Sequence, residues 1–401
     1  MTFYRVIMVL LVPVLLIRAL IRGEGRTDLA ERLGRGGTSP VGLWLHGASL
    51  GELASARWLI AAMLDARPGL TVLVTANTVT GRQRVRDWGL QRVTARLAPL
   101  DLGFVLRRFL DRWQPKALIT LEAEFWPLRF DQCAARSVPV LLLGARMSDR
   151  SARRWQKRPR LAGAMLNRVS LASAQDAVSR RHLALLGLAA AVTLPDMDLK
   201  AQAFAHLPPA VAPPRHLRSG WLLAASTHEG DEALILRAFA GQDRFTQLIL
   251  APRHPARAAQ IVADLQRTKL AFDRRSIGAD PGRAPVFLAD TLGEMELWYT
   301  RCGAVVVGGT FAAKGGHSPW EPMRHGCAIL HGGDTGNFAA PFAALDQAGG
   351  ALLVTPETLA ATLQALDDDA QDRLAGTAQS VLQAQGDVSA LLARILAVSG
   401  L

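Results

Sequence analysis

Short apolar runs alternate with longer stretches of helical spacing along the chain, and this alternation restricts the possible folds more than any other feature. Nine runs are predicted to be strands: Val41–Leu45, Thr71–Thr75, Ala117–Leu121, Val138–Leu143, Trp221–Ala225, Gln247–Ala251, Pro285–Leu288, Ala304–Val307 and Ala328–Leu330. Apolar residues at helical spacing lie between them, as in Glu52–Leu64 and Asp231–Ala240. Apolar strands separated by helices are typical of parallel sheets that helices cover on both faces. The sequence therefore predicts an α/β fold with doubly wound, Rossmann-like sheets.

A proline-rich segment divides the chain into two parts of similar size. Four prolines lie within the seven residues 208–214, and this density of proline excludes a helix interior or a central strand. We predict an N-terminal domain at 23–205, a linker at 206–216 and a C-terminal domain at 217–401. A length of 401 residues is enough for two such domains. The last helical stretch, Ala378–Val398, could pack on either of them.

The amino terminus carries an apolar segment. Val6–Ile17 is an uncharged run of twelve residues, with Arg5 before it and Arg18 and Arg22 after it. A spanning helix needs about 20 apolar residues, so this run is short. A signal peptide also fits the length, but no good small-residue cleavage site follows. We interpret 1–22 as an uncleaved segment that dips into a membrane or barely spans it, with its arginines among anionic head groups.

The basic surplus lies in the first half of the chain. Residues 1–200 hold 30 basic and 15 acidic residues, whereas 201–401 hold 16 and 19. This asymmetry indicates an anionic partner for the first half, although a general bias towards arginine is a simpler explanation. The basic run 153–160 could contact nucleic acid, but no known nucleic-acid module surrounds it. We therefore expect a surface of anionic lipids as partner and no nucleic acid.

Glu52 is the first candidate for chemistry. It falls in the first turn of a helix that is predicted to start near Gly51, directly after a strand that ends near His46. Ligands of parallel sheets bind beyond the carboxyl ends of the strands, so a carboxylate here can act as a general base. The alternative is an acidic residue that only complements the helix dipole.

Two more strands of the first half end in polar residues. Glu122 and Glu124 directly follow Ala117–Leu121, close to Trp126 in sequence. Apolar neighbours raise the pKa of a carboxyl group, which makes this pair a better site candidate than ordinary loop acids. Arg146 follows the next strand along the chain.

The second half offers two similar strand ends. Ser226 and Thr227 follow its first strand, where they either cap the next helix or leave backbone N–H groups free for a phosphate. Arg253 and His254 follow the next strand between two prolines. A guanidinium group is suited to bidentate phosphate binding.

Glycine-rich turns follow the later strands. The segments 290–295, 307–310 and 315–322 combine glycines with polar residues, so the backbone can approach a ligand closely. Glu321 could accept hydrogen bonds from a ribose diol, and Asn337 adds a further polar turn. Ordinary turn chemistry is the alternative for each segment taken alone.

Metal and cofactor motifs are missing from the sequence. The three cysteines, Cys133, Cys302 and Cys327, are widely spaced and form no CxxC pair. No Walker loop or GxGxxG motif occurs, and no set of metal ligands has convincing spacing. We expect neither a metal nor a cofactor.

Eight segments together resemble one family. They read HGASLGE, LEAEFWP, GARMS, ASTHEG, APRHP, DTLGEM, GGTFAAKGGHSPWEP and GNF, in the order found in 3-deoxy-D-manno-octulosonic acid (Kdo) transferases. The resemblance implies a GT-B glycosyltransferase, with an acceptor-binding first domain and a CMP-sugar-binding second domain that face each other across a cleft. It implies CMP-Kdo as donor, a lipid A precursor (lipid IVA) as acceptor and lipopolysaccharide biosynthesis as the process. It also implies action at the cytoplasmic face of the inner membrane.

The resemblance also implies roles for single residues. Glu52 matches the general base of the family, and Glu122 and Lys200 match residues that stabilise the transition state. The segments that match the CMP site contain Pro252, Arg253, Gly293, Glu294, Met295, Ser318, Pro319, Trp320 and Glu321. Further candidates for substrate contact are Ser49, Gly51, Arg146, Ser226, Thr227, His254, His317 and Asn337.

Other functions stay open at this point. Ser318 and Trp320 stand where the family usually has Asn and Leu, which suggests a divergent paralogue with another CMP-activated acid or another acceptor. A sugar-nucleotide epimerase of the same fold would make products without lipid. A non-catalytic membrane protein that binds nucleotide sugars would show no turnover. A nucleic-acid binder would need an affinity that falls steeply with salt.

Overall fold

The computed structural model describes residues 2–21, 23–208, 210–384 and 388–401. They form two compact units. The first unit extends to Ala203 and includes the C-terminal helix, and the second begins at Phe204. The described residues of the proline-rich segment 206–214 are neither helix nor strand, whereas Pro209 lies outside the described residues.

The first unit contains a sheet of six parallel strands. They are β1 (Leu43–Gly47), β2 (Val72–Ala76), β3 (Val93–Leu97), β4 (Ala117–Leu121), β5 (Val140–Ala145) and β6 (Val169–Ala174), in the order β3-β2-β1-β4-β5-β6. Leu43 of β1 is paired with Val72 on one side and Ala117 on the other. The strand order reverses between β1 and β4, and ligands of such sheets bind beyond the carboxyl ends at this switch point.

α-Helices precede, separate and follow these strands up to Ala205. They are α1 (Thr2–Leu10), α2 (Val12–Ile21), α3 (Arg26–Arg32), α4 (Leu50–Ala66), α5 (Val79–Arg86), α6 (Gly103–Trp113), α7 (Pro127–Ala134), α8 (Asp149–Gln156), α9 (Pro159–Leu166), α10 (Ala177–Leu185) and α11 (Leu199–Ala205). Both faces of the sheet carry an apolar core, one around Trp44 and Phe130 and the other around Leu45 and Leu59.

The apolar amino-terminal run is two helices. α1 ends at Leu10 and α2 begins at Val12, with Pro13 in its first turn, where proline is tolerated because the N–H group there has no partner in the helix. Met8 packs on Leu102 and Val105 of the first unit. Within the described residues, no helix combines the length and apolar composition that crossing a membrane requires. Met1 and Arg22, which the predicted membrane segment includes, lie outside the described residues.

The second unit contains a sheet of seven parallel strands. They are β7 (Trp221–Thr227), β8 (Gln247–Pro252), β9 (Phe272–Arg274), β10 (Val286–Leu288), β11 (Ala304–Val307), β12 (Ala328–His331) and β13 (Ala351–Leu353), in the order β13-β12-β11-β7-β8-β10-β9. The order reverses between β7 and β11. The helices are α12 (Arg215–Arg218), α13 (Asp231–Ala240), α14 (Ala258–Thr268), α15 (Met295–Arg301), α16 (Trp320–Arg324), α17 (Ala339–Ala348), α18 (Leu359–Ala365) and α19 (Asp368–Gln383).

The last predicted helical stretch is two helices, so the prediction of one continuous element was wrong. α19 ends at Gln383, and the final helix α20 runs from Ser389 to Val398. Ala378 and Leu382 of α19 are buried in the second unit, whereas Ile395 of α20 is part of the core of the first. The two helices thus bury their apolar faces in different units.

Candidate active site

Glu52 lies at the carboxyl end of β1, in the first turn of α4. Ser49 caps this helix: its Oγ accepts the Glu52 N–H at 3.2 Å and donates to Glu52 Oε1 at 3.2 Å. The N–H of Ala48 donates to Oε2 at 2.7 Å. A Cβ on Gly51 would meet no atom closer than 3.9 Å, so the surface beside the carboxylate is open. The carboxylate is therefore held in one place by the turn before its own helix.

The environment gives the Glu52 carboxyl group a pKa near neutral pH. Burial, with a smaller contribution from the charges of Glu122 and Glu124, raises the pKa of its carboxyl group to about 7, although the hydrogen bonds from the Ala48 N–H and from Ser49 oppose the shift. A base works best when its pKa lies near the working pH. The influence of Glu122 and Glu124 also places three carboxylates in one neighbourhood.

Glu122 begins the loop after β4 in a left-handed conformation, with φ of +46°. Such a conformation costs a residue with a side chain about 1 kcal/mol and is often found at functional sites. The Glu122 N–H donates to Leu143 O at 3.2 Å, and its carbonyl accepts the Arg146 N–H at 3.1 Å. Its carboxylate lies 4.0 Å from Lys200 Nζ. Burial raises the pKa of Glu122, and the positive charges of Lys200 and Arg146 oppose this.

Glu124 is held by three donors on one oxygen. Its Oε2 accepts from Trp126 Nε1 at 2.7 Å, His46 Nε2 at 2.8 Å and Asn77 Nδ2 at 3.3 Å. Burial alone would raise the pKa of Glu124, but these donors and the charge of Arg129 bring it to about 2. Burial lowers the pKa of His46 to about 4. The histidine is therefore neutral at neutral pH, and we assign its hydrogen to Nε2, which faces the carboxylate.

The sequence indicated Glu124 as a neighbour of Glu122 but gave no role to His46. His46 is fully buried, and its Nδ1 lies 2.9 Å from Thr75 Oγ1. A histidine within an otherwise apolar strand, two residues before the strand's polar loop, was the available signal.

The second unit carries a cluster of basic side chains at the corresponding edge of its sheet, named here the imidazole cluster: His228, Arg253, His254, Lys314 and His317. His228 follows β7, and Arg253 and His254 follow β8. The Nε2 atoms of His228 and His317 are 2.9 Å apart, and the His254 ring meets His228 edge-on at 5.7 Å. Burial lowers the pKa of His317 to about 4, helped by the charges of His228 and Arg253, so His317 is neutral.

Arg253 and Glu321 have side-chain atoms available for a ligand. The Arg253 N–H donates to Thr227 O at 3.0 Å, but its guanidinium bonds none of the described residues. The Glu321 carboxylate likewise bonds no residue in the described part of the chain. Burial raises the pKa of Glu321 and the charge of Arg253 opposes it, so the two groups are neighbours.

Asp231 connects the two loops at the switch point of the second sheet. Its Oδ2 accepts the N–H of Gly309 at 2.7 Å and of His228 at 2.9 Å. Gly309 has φ of +72°, and a Cβ on Gly308 would lie 2.5 Å from Ser226 O. Glycine is therefore required where the β11 loop passes β7. The sequence gave Asp231 no role, since its function depends on this tertiary contact.

Ser226 and Thr227 do not cap α13, so that interpretation was wrong. The N-cap of α13 is Gly230, and no side chain caps it. Ser226 is left-handed, with φ of +56°, at an irregularity in the pairing of β7 and β8. Thr227 is fully buried and donates to Glu232 Oε1 at 3.0 Å, so its side chain is not available to a ligand.

Several candidates for CMP binding, and one candidate for substrate contact, Asn337, have side chains that are engaged within the protein. The Glu294 carboxylate binds Arg275, with Nη2 at 2.8 Å. The Trp320 side chain is buried, only 3% of the residue being exposed, and the Ser318 Oγ accepts the backbone N–H of Trp320 at 3.3 Å. Asn337 Nδ2 donates to Lys314 O at 2.8 Å. These residues can meet a ligand through their backbone or shape the loops around it.

The remaining candidates lie at the ends of elements. Pro252 ends β8, Gly293 has φ of +86° with open space beside it, Met295 starts α15, and Pro319 precedes α16. Among the described residues, no group of three or more His, Cys, Asp or Glu side chains is arranged to hold a metal ion.

Comparison with known proteins shows that most of the chain is similar in sequence to proteins of one family. The family model described as 3-deoxy-D-manno-octulosonic-acid transferase matches residues 27–202. A 3-deoxy-D-manno-octulosonic acid transferase of Haemophilus influenzae is 33% identical over 377 residues, which cover 89% of this chain and 88% of that protein. The enzyme of the same name from Bordetella pertussis is 34% identical over 371 residues, 84% of this chain and 83% of its own.

Solved structures share the fold at low identity. UDP-GlcNAc 2-epimerase from Neisseria meningitidis, bound to UDP-GlcNAc, matches 88% of this chain and 99% of its own, with a TM-score of 0.57 and 12% identity. At this identity the likeness shows the fold alone. The predicted class, an α/β fold of GT-B type with two Rossmann-like domains, is confirmed.

Proposed function

The chain belongs to the 3-deoxy-D-manno-octulosonic acid transferase family, and from this premise we propose that it is an inverting glycosyltransferase that moves Kdo from CMP-Kdo to a lipid A precursor, lipid IVA, in lipopolysaccharide biosynthesis. The observation that supports catalysis most directly is the position and pKa of the Glu52 carboxylate. This carboxylate is fixed by Ala48 and Ser49 at the switch point, and its pKa of about 7 suits removal of a proton from a hydroxyl group.

The proposed reaction is a single displacement. Glu52 accepts the proton of the acceptor hydroxyl group while the oxygen of that hydroxyl group forms a bond to the anomeric carbon of Kdo. The bond from that carbon to the phosphate oxygen breaks, and CMP leaves with the bonding electrons. Glu122 stabilises the positive charge that develops on the sugar, and Lys200, 4.0 Å away, helps to hold it in place. Attack opposite the leaving group inverts the configuration.

The donor is proposed to bind at the imidazole cluster. The free guanidinium of Arg253 pairs with the phosphate of CMP through charge-assisted hydrogen bonds. The free carboxylate of Glu321 accepts hydrogen bonds from the ribose hydroxyl groups. His317 is neutral and contributes hydrogen bonds rather than charge.

The acceptor and the membrane are proposed to meet the first unit. Lipid A precursors carry phosphates and acyl chains, and this half of the chain has the basic surplus. Leu10 and Ile21 of the amino-terminal helices are 71% and 80% exposed, which favours contact with the apolar part of a bilayer. We place the enzyme at the cytoplasmic face of the inner membrane.

No observation favours the alternatives over this function. The 2-epimerase fold is the same, but the relatives with 33% and 34% identity are named as transferases. A non-catalytic sensor would not need a carboxylate with a pKa of about 7. The Trp320 side chain is buried and the Ser318 hydroxyl accepts the backbone N–H of Trp320, so these departures from the family pattern support loop packing more directly than a new donor.

The test is a transfer reaction with purified full-length protein. CMP-Kdo is generated in situ, lipid IVA is the acceptor, and mass spectrometry measures the lipid. We expect product heavier by one or more Kdo residues with wild-type protein and none with Glu52→Ala. Product only with a different CMP-activated acid would identify a paralogue, and CMP binding without any product would identify a sensor.

A further inference from the structure

Buried polar groups connect the amino-terminal helix α1 with the active-site carboxylate Glu124. The hydroxyl of Tyr4 donates to Asp101 Oδ2 at 2.9 Å. Asp101 is only 2% exposed, and it also accepts the N–H groups of Arg129 at 2.7 Å and Leu128 at 3.2 Å. These two N–H groups belong to the first turn of α7, so Asp101 joins α1 to the start of that helix.

Arg129 extends the connection from Asp101 towards the site. Its side chain is buried, and its Cζ lies 5.3 Å from the centre of the Trp44 ring and 5.4 Å from that of Trp126. Nε and Nη1 have no hydrogen-bond partner among the described residues, so the aromatic faces and the charges of Asp101 and Glu124 stabilise the guanidinium. Loss of either carboxylate would leave this charge poorly compensated.

Trp126 and Trp44 are both connected to Glu124 through hydrogen bonds. Trp126, the residue before α7, donates from Nε1 to Glu124 Oε2 at 2.7 Å. Trp44 donates from Nε1 to Thr75 Oγ1 at 2.8 Å, Thr75 contacts His46, and His46 bonds the same Glu124 oxygen. Glu124, two residues after Glu122, is therefore the shared end point of two series of contacts, one through Trp126 and the other through Trp44 and His46.

We propose that Tyr4 and Asp101 are positioning residues for the transfer reaction, which set the loop 122–126 through the first turn of α7. This inference rests on the proposed function. Burial raises the pKa of Tyr4 well above its usual value, so its hydroxyl keeps the proton that it donates. Helix α1 is then part of the scaffold of the catalytic carboxylates as well as a surface for the membrane.

A second contact between α1 and α7 provides a matched control. Arg5 Nη2 lies 3.1 Å from Asp131 Oδ2, and the two side chains are 53% and 26% exposed. This ion pair joins the same two helices outside the buried network. Exposed pairs of this kind contribute little to stability, about 0–1 kcal/mol.

The experiment compares Tyr4→Phe, Asp101→Asn and Arg5→Gln in the full chain, in the transfer assay with CMP-Kdo and lipid IVA. We expect Tyr4→Phe to lower kcat about fivefold, the effect of one typical hydrogen bond, and Asp101→Asn to lower it further. The KM for CMP-Kdo should stay within about twofold, because these residues lie in the unit without the imidazole cluster. With lipid IVA dispersed in detergent, where contact of Arg5 with anionic head groups plays no part, Arg5→Gln should leave kcat and KM as in wild type.

Hydrogen–deuterium exchange gives a second readout that does not depend on turnover. In Tyr4→Phe, the backbone of 122–126 should exchange faster than in wild type, and in Arg5→Gln it should not. Unchanged kcat and unchanged exchange in Tyr4→Phe would overturn the inference. Equal losses in Tyr4→Phe and Arg5→Gln would also overturn it, because α1 would then act only by staying attached. Wild-type protein without transfer activity would contradict the proposed function, and the exchange result would still decide the positioning role.

Discussion

The two units place opposite kinds of charge at the same point of the same kind of sheet. The first half of the chain has 30 basic and 15 acidic residues, yet three carboxylates, Glu52, Glu122 and Glu124, gather at its switch point. The second half has 16 basic and 19 acidic residues, yet its switch point carries the imidazole cluster. The net charge of each half is therefore a poor guide to the side chains at its switch point.

Burial acts on both sites in the same sense. It raises the pKa of Glu52 to about 7 and lowers that of His317 to about 4, since in each case it disfavours the charged form. The first site thereby contains a carboxylate that can accept a proton near neutral pH. The second keeps neutral His317 beside the permanent charge of Arg253, which suits a nucleotide phosphate.

The largest expected effect comes from removing the base. Glu52→Gln keeps the size and most hydrogen-bonding capacity of the side chain but cannot accept the proton, so kcat should fall about 10²- to 10⁴-fold. Steady-state kinetics with CMP-Kdo and lipid IVA measure it. Glu357→Gln, the same change at an exposed carboxylate of the second unit, is the matched control. A fall of less than tenfold in Glu52→Gln would contradict the assignment.

The next largest effect is expected in the second unit, from loss of the Arg253 side chain. Arg253→Met removes a permanent charge whose guanidinium bonds none of the described residues and lies in the proposed donor site, so the Kd for CMP should rise about 10- to 100-fold. Calorimetric titration with CMP measures it. Glu321→Gln, which keeps a hydrogen-bond acceptor for the ribose, should weaken binding less. An unchanged Kd in Arg253→Met would place the nucleotide elsewhere.

The pH dependence of kcat distinguishes the contributions of the two sites, and the expected change between pH 6 and pH 8 is about tenfold. Glu52 is active when ionised, so with a pKa of about 7 the kcat at pH 6 should be roughly a tenth of that at pH 8. His317→Gln should leave the midpoint unchanged, because the pKa of His317 lies near 4, below this range. A midpoint that moves with His317, or a flat profile, would argue against Glu52 as the titrating group.

The smallest expected effect concerns the surface of the first unit. Arg153 of α8 is exposed, and Arg153→Gln should weaken binding to vesicles of anionic phospholipid about fivefold, since each basic residue near such a surface contributes about 1 kcal/mol. Sedimentation with vesicles measures this. Arg283→Gln, an exposed arginine of the second unit, should have no effect. Equal losses from both would show that position matters less than net charge.

The interior of each sheet could be predicted from the sequence, and its edges could not. The nine predicted strands are the inner strands of the two sheets, and the four that were missed, β3, β6, β9 and β13, are the outer ones. An inner strand is covered by helices and flanked by strands, so it needs an apolar run. An edge strand has one strand neighbour: in β9 every residue is partly exposed, and its sequence, Phe-Asp-Arg, has no apolar run.

The candidate site divides in a similar way. Glu122 and Arg253 directly follow strands and Glu52 lies in the first helical turn after one, so their positions could be read from the order of elements. His46, Asp101 and Asp231 could not, because their roles come from hydrogen bonds to segments distant in sequence. Thr227 lies at a strand end yet is buried, and only the structure distinguishes it from its ligand-accessible neighbours.

The division of labour between the units is tested most directly by titrating CMP into the Glu52→Gln protein. If acid–base chemistry belongs to the first unit and nucleotide binding to the second, this variant loses turnover but binds CMP within about twofold of wild type. A Kd that rises in parallel with the loss of turnover would contradict the account, because Glu52 would then be needed for the nucleotide as well.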